Sequence, residues 1–222
     1  MNNSLVKKPI NDLQVEYDSN GTSVKLSPNI IRNYLVNGNG AVTDQEVVMF
    51  LNLCKAQRLN PFLREAYLIK FGQQPATIVT GKEVFTKRAR RNKDYSGFEA
   101  GVIVQNEDGA LINRAGTLVV KDEELVGGWA KVHIKGYVVP IEITASLSEY
   151  IGLKGDGTVN AQWSKKPATM IRKVALVQAL REAFPEELQG LYDQSEIQVD
   201  IDVPEQPIEI PELPESAPDP LG

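Results

Sequence analysis

Six basic side chains crowd one short stretch: Lys82, Lys87, Arg88, Arg90, Arg91 and Lys93, with only Glu83 and Asp94 beside them. Wound as a helix, this stretch puts Val84, Phe85 and Ala89 on one face and Lys82, Lys87, Arg90 and Arg91 on the other. Like charges at helical spacing repel. A nucleic-acid backbone supplies the phosphates that would relieve the repulsion; the plain alternative is a solvated helix face. Arg88 falls at the edge of the apolar arc, where an ion pair inside the fold is the competing role.

A second cluster is Ser164-Lys165-Lys166-Pro167, ahead of a long apolar helical pattern. Ser164 is the expected N-cap. Lysines in a first helical turn oppose the helix dipole, which makes sense when an anion sits between them and the free backbone amides. Farther along, Arg172, Lys173 and Arg181 interrupt the apolar run. Arg172 and Lys173 point about 100° apart on a helix, so at most one is central to any groove. The competing role is pairing with acids of the 182–196 segment. Phe62, Tyr67, Phe85 and Trp163 lie beside these bases in sequence. Single-strand binders stack bases on such rings. Phe85 fits a core position better, whereas Trp163 is the expected stacking or groove-wall residue.

Several chemistries are excluded. Gly81-Lys82 is followed by Glu83, and the earlier glycine position holds Ala76, so no phosphate-binding P-loop is present. ATP-driven strand exchange is therefore not expected. No Gly-x-Ser-x-Gly elbow occurs, and Asp122, Glu123 and Glu124 read as a solvated turn rather than a nuclease metal site. Cys54 and His133 are the only cysteine and histidine, which rules out an intrachain disulfide and a zinc site built from them. With no signal-like stretch and no run near the roughly 18 apolar residues of a membrane span, a reducing cytoplasm is expected.

Charge is unevenly spread. The net charge is −5, yet none of the 24 bases follows Arg181 while 12 of the 29 acids do. Residues 1–181 thus carry an excess of seven positive charges, a layout common among proteins that handle nucleic acid.

The elements that must position these residues follow from the hydrophobic period. Residues 1–26 read as a mobile arm or edge strand. Ser27 and Pro28 open a helix that the NGNG run stops, and a Thr43–Glu46 capping box opens another through about Leu59, with Val47, Phe50, Leu51 and Cys54 on one face. REAYLIKF and ATIVT read as strands, and GKEVFTKRARRN as a helix. FEAGVIVQ, GTLVV, GWAKVHI and YVVPIEIT read as a sheet over 98–147, followed by a loop and a long helix that Pro185 ends. From about 198, six of 13 prolines alternate with acids, which predicts a disordered acidic tail over 198–222. The fold class is α+β: a small antiparallel sheet packed with helices over 27–197, with that tail appended.

Three blocks together resemble the phage Bet/RecT family of single-strand annealing proteins: LNPFLREAYLIKF, TGKEVFTKRARRNKDYSGFEAGVIV and WSKKPATMIRKVALVQALREAFPEELQGLYDQSE. The resemblance spans about 45 to 197 and departs at Val174, where some members carry Lys. It implies binding of single-stranded DNA and annealing of complementary strands in recombination, without enzymatic chemistry, ATP or a required cofactor. Mg²⁺ is left open as a modulator. The DNA contacts it implies are Arg64, Lys87, Arg172, Lys173 and Arg181 first, then Lys82, Arg91, Lys165 and Lys166. Implied partners are single-stranded DNA and the annealed duplex intermediate, further copies in a ring or helical filament, a phage 5′→3′ exonuclease and the host single-strand-binding protein, in a bacterial cytoplasm. The acidic tail is expected either to cover the basic groove when DNA is absent or simply to be solvated. A passive single-strand binder, a metal-dependent nuclease and a protein-interaction scaffold are the competing functions.

Overall fold

The computed structural model describes Ile10 and residues 13–197. The expected tail over 198–222 lies outside the described residues. The described chain forms two compact units, one up to Thr77 and one from Ile78 onward.

The first unit opens with an antiparallel hairpin, β1 (Val15–Ser19) and β2 (Thr22–Leu26), turned by Asn20-Gly21. Of the two readings of residues 1–26, Val15–Leu26 forms strands, with alternation along β2 burying Val24 and Leu26, and residues 1–9, 11 and 12 lie outside the described residues. The polar composition hid a strand with one solvated face. Tyr17 donates its hydroxyl to the Leu59 carbonyl at 2.6 Å, and burial pushes that phenol's pKa well up. Ser27 caps α1 (Pro28–Ile30) as expected, accepting from the Ile30 amide; the helix continues as a π-turn over Ile31–Leu35 into β3 (Val36–Asn37). α2 (Asp44–Gln57) carries both halves of the Thr43–Glu46 capping box. Its buried face is Val47, Phe50, Leu51 and Cys54, as the spacing predicts. Burial raises the Cys54 thiol's pKa, so it is no nucleophile. β4 (Ala66–Ile69) pairs with β3 in parallel.

Glu46 does more than cap. It accepts from Lys70 Nζ at 2.7 Å and from the Ala76 amide at 2.8 Å. Lys70 foremost, then the backbone of Thr43, holds the Glu46 carboxyl down at about 2, against 4.5 for a free one. A carboxylate whose folded pKa lies below its unfolded one stabilises the fold above the unfolded value and loses that contribution as pH falls. The wild type should therefore lose stability between pH 4.5 and 2 partly through this group. Glu46→Gln should cost about 1–2 kcal/mol near neutrality and show a shallower loss over that window in denaturant titrations. Parallel acid profiles for the two proteins would remove Glu46 as the cause.

The second unit begins within β5 (Thr77–Thr80), followed by α3 (Lys82–Arg91). The sheet comprises β6 (Tyr95–Gln105), β7 (Leu111–Ala115), β8 (Glu124–Ile134) and β9 (Ile141–Ser146), all antiparallel in the order β7-β6-β8-β9. Two expected strands are corrected. The strand after the Asn106–Gly109 turn is LINRA rather than GTLVV, because Gly116 turns the chain and residues 117–120 run free of the ladder. β9 begins only at Ile141: Pro140 has no amide to donate, and Tyr137, Val138 and Val139 stay exposed ahead of it. β-branched composition marks strand preference, not ladder membership.

One sheet face carries Ala100, Val102 and Val104 of β6 with Ala130 and Val132 of β8, all buried. α6 (Pro167–Ala183) packs on this sheet, burying Met170, Ile171, Val174, Ala175, Leu176, Val177, Ala179 and Leu180. So complete a burial explains the dearth of charge that made this the most apolar pattern in the chain. α4 (Leu147–Tyr150) and α5 (Ala161–Lys165) lie between β9 and α6, and α7 (Pro185–Leu188) follows. Among the described residues, no helix is long and apolar enough to cross a membrane.

Candidate nucleic-acid interface

The long helix expected to start after Ser164 begins instead at Pro167, and a short separate helix, α5, precedes it. Pro167 has no amide and disfavours helical geometry in the residue before it. Lys166 accordingly sits at φ −140°, ψ 50°, between α5 and α6. Ser164 is therefore not the cap of the long helix. It lies inside α5, whose cap is Asn160, accepting from the Trp163 amide at 3.1 Å. α6 itself starts with no side-chain cap, and Lys165 and Lys166 are exposed at that junction. Neither makes an ion pair among the described residues. Two exposed cations thus stand at a helix start that no side chain caps, an arrangement suited to an anion.

Trp163 does not match its expected role. It is 2% exposed. Its indole packs over Gly152, where an added Cβ would meet the ring at 2.7 Å. A ring so enclosed has no open face for a base, so Trp163 supports the α5–α6 junction from inside. Phe85 is also buried, as its helical face predicts.

The cations of α6 diverge as their spacing requires. Arg172, half-buried, donates Nε–H to the Ala100 carbonyl at 3.2 Å and has no ion pair among the described residues. Its anchoring depends on Gly128, where a Cβ would stand 2.5 Å from the Ile171 carbonyl oxygen; the missing side chain lets α6 approach β8. Lys173 turns the other way and pairs with Asp193 at 2.8 Å, where that carboxylate is essentially fully buried. Arg181 grips Glu196 with both terminal nitrogens, at 3.0 and 2.5 Å. Of the two roles open to these residues, pairing with acids of 182–196 is the one the fold displays for Lys173 and Arg181.

On α3, Lys82 reaches Glu83 at 3.8 Å, while Lys87, Arg90 and Arg91 are exposed. Arg88 takes the structural role, donating to the Glu187 carbonyl at 2.8 Å. Arg88, Arg91 and Asn92 share a cleft with Glu186 and Glu187, so α7 supplies counter-charge to one end of the basic helix. Local sequence reading missed that charge because it lies about 95 residues away.

Arg64 belongs to the first unit. There Asn60 caps a 3₁₀ turn over Pro61–Leu63, accepting from the Phe62 and Leu63 amides, and Glu65 accepts from the Asn60 amide at 2.9 Å. Arg64 ends that turn in the left-handed region, φ 61° and ψ 26°. The NPFLRE segment is thus a self-bonded turn that sets the direction of a half-buried arginine. Among the described residues, no group of three or more His, Cys, Asp or Glu side chains is placed to hold a metal ion.

The second unit is therefore an α+β fold whose antiparallel sheet is backed by one long helix, with exposed cations at the head of that helix and along α3. The sequence model of the RecT family matches residues 23–209, well over half of the chain, and the chain belongs to that family. It is also 30% identical over 141 residues, 64% of its length, to an uncharacterized protein of Ureaplasma parvum serovar 3. It spans 55% of that relative's length.

Proposed function

We propose that this protein binds single-stranded DNA and anneals complementary strands in recombination, without ATP and without enzymatic chemistry. The observation that carries the reading is the exposed Lys165–Lys166 pair at the uncapped start of α6, in a chain of the RecT family. Phosphates would be held by those lysines and the first amides of α6, by Arg172 on its Ala100 anchor, and by the exposed bases of α3. Arg64 would contribute from its own unit. Phosphate grip is blind to sequence, which suits a protein that must act on any strand. Base pairing supplies the free energy of annealing; the protein lowers the barrier by screening strand repulsion and holding bases accessible.

Assembly into a ring or filament would align many such patches, and a 5′→3′ exonuclease and a host single-strand-binding protein are the proposed partners. Mg²⁺ is proposed only as a modulator of DNA affinity.

The test mixes the protein with two complementary dye-labelled oligonucleotides in the absence of ATP and follows energy transfer, with a non-complementary pair as control. Pairing faster than in buffer, and lost in the Lys87→Ala, Arg172→Ala double variant, is the expected result. Binding without acceleration would make the protein a passive single-strand binder, and no binding at modest salt would overturn the reading altogether.

A further inference from the structure

Lys173 and Arg181 are the two cations of α6 that pair with carboxylates among the described residues. Lys173 and Asp193 form a pair in which the acid is 1% exposed, and Ser195 adds its amide and hydroxyl to the same Asp193 oxygen at 2.8 and 2.7 Å. Arg181 holds Glu196, whose Oε2 also accepts from the Asp193 amide at 3.1 Å. The guanidinium of Arg181 further lies 4.9 Å from the ring of Tyr192 and 5.9 Å from that of Phe85. Phe85 is the buried anchor of α3, and Thr80, just before α3, donates its amide to the Tyr192 carbonyl at 2.8 Å. Arg88 of α3 and Asn92, which caps its C-terminus, reach Glu187. The Lys173 and Arg181 pairs fasten residues 191–197 to α6, and the contacts of Phe85, Thr80, Arg88 and Asn92 join α3 and its flanking residues to α6 or to the segment that follows it.

We infer that Lys173 and Arg181 are positioning residues: with Asp193 and Glu196 they clamp residues 191–197 onto α6 and so seat the basic helix α3, and they serve DNA binding through α3 rather than by touching phosphate. Pulling either cation away to meet DNA would strand a buried carboxylate, a costly exchange in a low-dielectric site. Arg181 Nε and Asp193 Oδ2 are both buried without a protein hydrogen-bond partner among the described residues.

This rests on the single-strand-binding reading, and opposite signs separate the clamp from a phosphate contact. Glu196→Gln removes a negative charge. If Arg181 were a phosphate ligand restrained by Glu196, binding would tighten. The clamp requires the reverse: binding of a labelled oligo-dT by the full-length protein weaker by roughly fivefold, with a similar loss in Arg181→Gln and recovery in the swap Arg181→Glu with Glu196→Arg. In Arg181→Gln the slope of log affinity against log salt should be unchanged, whereas loss of one phosphate contact would lower it by about 0.7. Tighter binding in Glu196→Gln, or a swap as poor as Arg181→Gln with a reduced slope, overturns the inference. If the wild type binds no single strand, the proposed function has failed, and amide exchange over Val84–Ala89 still decides the clamp. Faster exchange in Glu196→Gln, restored in the swap, supports it, and unchanged exchange overturns it.

Discussion

Replacing both Lys165 and Lys166 by Ala should weaken single-strand binding roughly 10- to 30-fold at 0.1 M salt and flatten the salt dependence by about 1.4 in log–log slope, two contacts at about 0.7 each for a single strand. The same variant should fold at least as well as the wild type. Both side chains are exposed; Lys166 lies at the positive end of the α6 dipole, so its removal should stabilise that helix by about 0.3–1 kcal/mol, while Lys165 ends the five-residue α5, where its loss should cost no more than that. Weaker binding with an equal or higher melting temperature is a signature that a folding defect cannot imitate. Lys173→Ala should show the contrast. It strands the buried carboxylate of Asp193, so thermal stability falls along with affinity. An unchanged salt slope in the Lys165, Lys166 double variant would mean that this pair is only solvated and that phosphates follow another path.

The contrast between these lysines marks where the sequence is readable and where it is not. Rules that act within one turn of chain were legible: the Ser27 cap, the Thr43–Glu46 box, the buried face of α2, the apolar side of α3, and the divergence of Arg172 from Lys173. Partners distant in sequence were not. That Arg88 finds the Glu187 carbonyl and that α7 faces the end of α3 depend on how α6 turns at Phe184, which no local pattern encodes. Trp163 was misread for a related reason: a tryptophan next to lysines has the composition of a stacking platform, and only the packing over Gly152 shows that its ring faces inward. GTLVV failed as a strand because its residue types suit one while Gly116 and the register of β6 with β7 leave it no partner. The spacing of the cations was therefore visible from the sequence, but which of them were already spoken for was not.

The seat of α6 carries a large expected loss of stability. Gly128→Ala adds one methyl group, yet its Cβ would lie 2.5 Å from the Ile171 carbonyl oxygen, 2.8 Å from its carbon and 3.1 Å from the Arg172 nitrogen. All three are backbone atoms in the middle of a 17-residue helix, so no rotamer change relieves the clash. The helix must lift from β8 as a body, opening the layer between α6, with buried Ile171, Val174 and Ala175, and the sheet, with buried Val102, Ala130 and Val132. Overpacking of this kind typically costs 1–3 kcal/mol, and a backbone-to-backbone clash belongs at the upper end, about 3 kcal/mol. Gly155→Ala is the matched control, because nothing lies within 4 Å of its added Cβ and its φ is unexceptional. Equal denaturation midpoints for the two variants would show that α6 is not seated on β8. The same substitution should stretch the bond from Arg172 Nε to the Ala100 carbonyl, now 3.2 Å, and so release the one α6 cation that is anchored without being neutralised. DNA affinity in Gly128→Ala should then fall even at temperatures where the protein stays folded. A glycine that touches no ligand would thus control binding through the height of a helix above its sheet.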